Sequence, residues 1–195
     1  MRTVRVNLPG SREIIKTLRV GDEVRLFGRI VTGRDAAHKF LVEEECPANI
    51  RALLRDSIIY HCGPVVKREG DGWTVVAAGP TTSIREEPYQ AKVIAEYELV
   101  GAMGKGGMGP RTLAGLAESG AVYLHAVGGV ASLLAQRIKQ VTEVHMLDEF
   151  GAPEAFWVLE VEDFPALVTM DSQGGSVHER ILESSTRAFN EKVQG

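Results

Sequence analysis

Residues Tyr97–Val130 read YELVGAMGKGGMGPRTLAGLAESGAVYLHAVGGV. An apolar stretch, Tyr97–Met103, runs into the glycine-rich Gly104–Gly109. Helical spacing follows over Arg111–Glu118, and a second apolar stretch, Ala121–Val127, is closed by Gly128-Gly129. Strand-like and helix-like segments thus alternate, which suggests an α/β domain with a mixed sheet. Around this stretch the alternation continues, with helical patterns at Tyr89–Glu96 and Val130–Lys139. Strands are expected at Ala155–Val161 and Ala166–Met170, and a charged final helix begins near Ser176.

The first half is richer in strands. Thr3–Leu8 alternates apolar and polar residues until Pro9-Gly10 breaks it, and Ser11 is placed to cap a short helix through Leu18. Glu23–Thr32 puts Val24, Leu26 and Ile30 on one face and Phe27 and Val31 on the other, a strand buried on both sides near its end. A helix around Ala36-Ala37 and Leu41 ends before Pro47. Ile58–Cys62 is a short apolar strand stopped by Gly63-Pro64. Val65–Arg68 and Trp73–Ala78 flank Glu69-Gly70-Asp71-Gly72, a hairpin signal. The fold class expected is α/β with a mixed sheet, strand-rich first and alternating later. No Pro/Ser-rich linker interrupts residues 1–195, so a single domain is expected.

The composition fits a globular protein: 195 residues, 44% hydrophobic and 25% charged, enough to bury a core without covalent staples. The net charge of -4 hides an asymmetry. Residues 1–40 hold nine Lys/Arg against four Asp/Glu, whereas residues 141–195 hold three against eleven. The early positives are dispersed and lack interleaved aromatics, which argues against nucleic acid as a partner. No apolar run approaches the ~20 residues that span a bilayer, so no membrane role is expected. The start carries no signal-peptide pattern. Cys46 and Cys62 supply neither a disulfide framework nor a zinc site, and a reducing cytoplasm is the simplest location.

Four loops carry residues suited to chemistry. Thr32–His38 sets Arg34 at a strand end entering a helix, where unpaired N–H groups and a guanidinium fork can hold a carboxylate. Asp35 capping the helix and pairing with Arg34 is the plainer reading, and His38 is expected to pack or cap. Ala77–Arg85 places three hydroxyls, Thr81, Thr82 and Ser83, ahead of Arg85, more than one cap needs. Gly104–Gly109 matches G-x-G-x-x-G, the dinucleotide pattern. However, Lys105 puts an ammonium inside the turn, and no acid closes the next strand to hold a ribose. Gly106 also stands where a P-loop has Ser or Thr. Gly128-Gly129 is read as close packing of a helix on the sheet. Cys62 is expected to be a buried thiol.

The ordered set Thr32–Phe40, Ile59–Pro64, Ala78–Ser83 with Arg85, and Gly104–Met108 resembles the C-terminal part of iron–sulfur, class I fumarate hydratases. Ala121–Gly129, Glu154–Trp157 and Glu162–Pro165 continue the likeness over nearly the whole chain. L-tartrate dehydratase β chains look similar. The resemblance implies a swivelling three-layer β/β/α domain, the β subunit of a hydro-lyase, docked on an α subunit that carries an oxygen-labile [4Fe-4S] cluster. An α2β2 assembly is a further implication. The family's substrate-binding arginines match Arg34 and Arg85, its catalytic threonine matches Thr81, and its glycine-loop lysine matches Lys105. No cofactor or metal ligand falls in this chain by that likeness.

Two departures stand out: Glu86-Glu87 follows Arg85 where many members have Met-Asp or a similar pair, and the lysine loop reads Gly-Gly-Met rather than Gly-Asn-Arg. The expected reaction is hydration of a small dicarboxylate, fumarate, to L-malate. The alternative is dehydration of tartrate to oxaloacetate. A nucleotide-binding oxidoreductase domain on Gly104–Gly109 and a non-catalytic anion-binding module are readings from other classes.

Overall fold

The computed structural model describes residues 2–193. Strand β1 (Thr3–Leu8) and helix α1 (Arg12–Thr17) lead into β2 (Glu23–Thr32), which is followed by α2 (Asp35–Glu43) and α3 (Ala48–Leu54). Next come β3 (Ile58–Tyr60) and the hairpin of β4 (Val65–Glu69) and β5 (Gly72–Ala77). A 3-10 turn over Ser83–Glu86 then precedes α4 (Gln90–Glu96). The alternating half comprises β6 (Gly101–Gly104), α5 (Pro110–Ser119), β7 (Val122–His125), α6 (Ala131–Ala135) and β8 (Ile138–His145). It ends with α7 (Leu147–Phe150), β9 (Phe156–Met170) and α8 (Val177–Val193).

Seven strands form one mixed sheet in the order β1-β2-β3-β6-β7-β9-β8. Strands β2, β3, β6 and β7 run parallel. The long β9 lies antiparallel to β7, β8 and also β2, so the sheet closes on itself. Strand alternation divides the core in two. Ile58 and Tyr60, Val122 and Leu124, and Trp157 and Leu159 point into one cluster, shared with α1 and the β4–β5 hairpin. The residues between them, Ile59, Tyr123 and Val158, point into a second cluster beneath α2, α3, α4 and α5. Two β layers and one helical layer result, a β/β/α architecture.

Several expectations need correction. Val130–Lys139 is not one helix. Only Ala131–Ala135 is helical, and β8 follows. Its apolar residues Ile138, Val141 and Val144 recur every third position and mimic helical spacing. Register shifts after Ile138 and after Val141 explain this, since each adds a residue between inward-facing positions. Ala155–Val161 and Ala166–Met170 are one strand, carried past Asp163 by a left-handed residue at φ 54°. Tyr97–Met103 pairs only from Gly101 onward. Helix α3 was not anticipated. Ser11 does stand before α1, but its hydroxyl donates back to the Asn7 carbonyl at 2.7 Å and caps nothing. Phe27 is half-buried beneath the Arg5 guanidinium, 3.6 Å from its ring centre, rather than in the core.

Gly28 marks where β2 is pinched between β1 and β9, opposite Leu8 and Val161. Its φ is +90°, and a Cβ there would lie 2.0 Å from the Leu8 carbonyl oxygen. Gly28→Ala is expected to cost at least ~2 kcal/mol in urea unfolding, because backbone rather than a flexible side chain must yield. An unchanged midpoint would refute this pairing.

Candidate functional site

The parallel strands end on one rim, where ligands commonly meet α/β sheets; three of the four chemistry-bearing loops leave from it, and the fourth, Ala77–Arg85, comes to it from β5 of the hairpin. Arg34 follows β2, His61–Gly63 follow β3, Lys105 follows β6 and Val127–Gly129 follow β7. Because β9 runs antiparallel, its start brings Glu154 to the same rim. The hydroxyl loop is stitched between strands. Thr81 donates its backbone N–H to the His61 carbonyl at 2.7 Å and its Oγ1 hydroxyl to the same oxygen at 2.9 Å. Lys105 N–H donates to the Thr81 carbonyl at 3.1 Å, and Ser83 N–H returns to the Lys105 carbonyl at 3.0 Å. Thr81 and Lys105 are thus backbone neighbours.

Both arginines hold carboxylates of their own chain. The Arg34 Nη2 lies 3.3 Å from Glu154 Oε1, and Glu154 Oε2 accepts the Ala36 N–H in the first turn of α2. Arg85, about half-exposed, forks onto Asp35. The plainer expectation that Asp35 pairs with Arg34 is therefore corrected: Asp35 takes Arg85, and Arg34 takes Glu154. Lys105 differs from both, having no ion-pair partner among the described residues. Its stem passes Gly128, where a Cβ would sit 3.7 Å from Lys105 Cδ. Gly128 and Gly129 are exposed, so close helix-on-sheet packing is not their role.

Beneath the rim lies a buried polar network that sequence reading missed. His61 Nδ1 meets Ser83 Oγ at 2.7 Å, and its Nε2 meets the Gln90 side-chain amide at 2.7 Å. His38 reaches the same amide at 3.0 Å, with its Nδ1 2.9 Å from the Arg34 carbonyl. Tyr123 donates its hydroxyl to Ser83 at 2.9 Å. Burial holds His38 down at about 4 and His61 at about 3, so both rings are neutral at pH 7. A neutral His38 that donates from Nδ1 must accept at Nε2. The group it meets is then the Gln90 NH2, which serves both rings, and His61 donates from Nδ1 to Ser83. A Cβ on Gly104 would fall 2.0 Å from Ser83 Oγ, so glycine is what admits this network behind Lys105. His38 packs, as expected. Cys62 is buried and its thiol is pushed up to about 12 by that burial, an inert group.

The two glutamates after Arg85 separate sharply. Glu87 accepts the N–H groups of Gly109, Arg111 and Thr112 at 2.8–3.2 Å, and the Thr112 hydroxyl at 2.6 Å. The start of α5, where a pyrophosphate would sit in a dinucleotide fold, is thus occupied by the chain's own carboxylate. That removes the physical basis for a nucleotide site on Gly104–Gly109. Glu86 is only 1% exposed, and neither carboxylate oxygen has a hydrogen-bond partner. Burial raises it to about 7 against the pull of its own backbone N–H and then of Arg85 and Arg34.

Among the described residues, no three His, Cys, Asp or Glu side chains gather to hold a metal ion. With two cysteines in the chain, one of them buried and inert, the donors for an iron–sulfur cluster do not fit here. No described helix is long and apolar enough to cross a membrane.

The family model for the fumarase C-terminus matches residues 1–181. The chain belongs to that family. Within the fumarase C-terminus family, it is 50% identical over 191 residues to a Geobacillus stearothermophilus protein named "Putative fumarate hydratase class I". The match covers 97% of this chain but 36% of that protein, so the chain spans about a third of its length. It is 41% identical to the Methanocaldococcus jannaschii "Putative L(+)-tartrate dehydratase subunit beta", covering 94% of this chain and 95% of the relative. The L(+)-tartrate dehydratase subunit beta of Escherichia coli is 38% identical, over 87% and 83%. These names place the family among hydro-lyases.

Glu87→Ala is expected to lower stability by about 2 kcal/mol in urea unfolding, through loss of a multiply bonded helix cap. A second outcome concerns pH. Unfolding lets His38 and His61 take up protons below their ordinary value of 6.5, whereas it makes Glu86 release one above its ordinary 4.5. Two protons against one leave a net uptake. Stability should therefore fall on acidification from pH ~6.5 to ~4.5, the slope steepening to ~1.4 kcal/mol per pH unit toward pH 5. Burial pushes His125 and His178 the same way, adding to that slope. A flat profile would contradict the neutral histidine pair.

Proposed function

We propose that this chain is the β subunit of a two-subunit iron–sulfur fumarate hydratase, interconverting fumarate and L-malate with a cluster supplied by an α subunit. One observation carries the reading. Main-chain hydrogen bonds join the loop of Thr81 to the loop of Lys105, whose ammonium has no ion-pair partner among the described residues, on the rim that also bears Arg34 and Arg85. Three cations from three loops suit a dianion, and the paired arginines present fork geometry for its two carboxylates.

In the hydration direction, Arg34 and Arg85 exchange their internal carboxylates for those of the substrate. Lys105 stabilises the negative charge that builds on the carboxylate beside the reacting carbon. Thr81 stands as the proton carrier. Its hydroxyl rests on the His61 carbonyl, which orients the oxygen but cannot take its proton, so activation must come from Lys105 or from a carboxylate of the partner. The partner's iron–sulfur cluster would supply a Lewis acid for the substrate hydroxyl. Residues 1–195 act as one docking unit in this reading, in an α2β2 assembly. Free cysteines are compatible with a reducing cytoplasm.

A second reading is the β subunit of L-tartrate dehydratase. It is supported by the relatives so named, which match 94% and 87% of this chain. The two readings share the cationic rim and differ in the partner needed by one extra substrate hydroxyl.

The test is anaerobic. This chain is mixed with the α chain encoded beside it after cluster reconstitution, and loss of fumarate, tartrate or mesaconate is followed. Fumarate turnover only in the mixture is the expected result, and turnover of tartrate alone would move the assignment. In the active mixture, Arg34→Ala and Lys105→Ala should each lower kcat/KM by about 100-fold or more, and Thr81→Ala should collapse kcat far more than it raises KM. A near-normal kcat in Thr81→Ala would remove that residue from the mechanism. No turnover of any substrate in a formed complex would leave an anion-binding module.

A further inference from the structure

Glu86 is the one residue beneath the rim whose state the foregoing chemistry does not use. It is almost wholly buried, both of its oxygens lack partners, and the Arg34 Nε beside the rim is likewise buried and unpartnered. An ionised carboxylate with no hydrogen bond costs several kcal/mol in such surroundings, far more than its neutral acid. Its charged surroundings come from four elements. Arg85 lies on its own 3-10 turn, where Arg85 is already paired with Asp35 of α2. Arg34 stands at the start of α2, Glu154 stands ahead of β9, and Tyr123 of β7 is near enough to be affected by the Glu86 charge. The nearby His38 and His61 are neutral at pH 7.

We propose that Glu86 is a positioning residue that sets the affinity of the rim for a dianion: as a neutral acid it leaves Arg34 and Arg85 free for substrate carboxylates, and once ionised it competes for them. The charge balance gives the sense. Arg34, Arg85 and Lys105 stand against Asp35 and Glu154, one positive charge in excess, and ionised Glu86 cancels that excess. Affinity for a dicarboxylate therefore falls as Glu86 loses its proton. Glu86 need not touch the substrate, since it acts through the two guanidinium groups. This inference rests on the dicarboxylate reading for its ligand, but the protonation of Glu86 does not.

Two arms keep those apart. In the chain alone, infrared titration should show the carbonyl stretch of a protonated carboxylic acid at pH 6, fading by pH 8 and missing from Glu86→Gln. The acid-side loss of stability should also steepen in Glu86→Gln by about one proton, because its opposing release is gone. Absence of that band from the wild-type chain at pH 6 overturns the proposal whatever the reaction proves to be, and this needs no variant to fold. In the αβ complex, KM for the substrate turned over should rise about tenfold from pH 6 to pH 8 in the wild type and stay flat in Glu86→Gln. If nothing is turned over, the affinity of the complex for succinate replaces KM. Identical pH profiles in both proteins would overturn the coupling to the arginines, even with the infrared band present.

Discussion

Strand β9 is the constraint on which the remaining structure depends. Its fifteen residues pair with β2 along one edge and with β8 and then β7 along the other, and this closes the sheet. Closure forces the parallel ends of β2, β3, β6 and β7 onto one rim. It also places the beginning of β9 there, because that strand runs the other way. Glu154 meets Arg34 for this topological reason and not through local sequence. The same strand supplies Trp157 and Leu159 to one core and Phe156 and Val158 to the other. A single strand thus couples both hydrophobic clusters to the geometry of the rim.

Rigidity just below that rim comes from polar rather than apolar groups. Ser83, His61, Gln90, His38 and Tyr123 form a connected buried network, and the main chain of His61 holds Thr81. The neutral state of both histidines lets each ring use both of its nitrogens in this network, and one atom of the Gln90 amide serves both rings. Glu87 does comparable work at the other end of the lysine loop by closing the start of α5. Between these two anchors the loop presents Lys105 with its ammonium uncommitted. A glycine pattern that suggests a nucleotide site on sequence grounds instead serves as a hinge-like mount for one cation.

Much of the fold was legible because its rules are local. The alternation of strands and helices around Tyr97–Val130, the hairpin and the buried β2 follow from periodicity and turn residues. What was illegible had non-local causes. The register shifts in β8 turned a period of two into three, and no local rule distinguishes that from a helix. Asp163 allowed β9 to continue through a segment that reads as a break. In the site, Arg34, Thr81, Arg85 and Lys105 stood out as charge or hydroxyl at strand ends. The carboxylate that holds Arg34 did not, because Glu154 lies 120 residues away in the chain. Glu86 and Glu87 are adjacent in sequence yet one is an orphan in the interior and the other a helix cap. Only packing separates them.

The rim's two arginines are already engaged before any ligand arrives, and this bears on how tightly a dianion can be held. In the proposed dicarboxylate reading, each substrate carboxylate displaces an internal one, so the gain is the difference between two ion pairs rather than the full strength of one. Partial exposure of the Arg85–Asp35 pair weakens what must be given up. Arg34 and Glu154 are more sheltered, with side chains 19% and 21% exposed, but Glu154 is also bound to the α2 backbone and cannot follow the guanidinium. Displacing it leaves a carboxylate still satisfied by a helix N-terminus, a modest loss. The internal partners therefore act as placeholders: they keep the guanidinium groups ordered in the empty rim, and they yield because each retains or finds another source of stabilisation. A rim built this way can be orderly without ligand and still release its product.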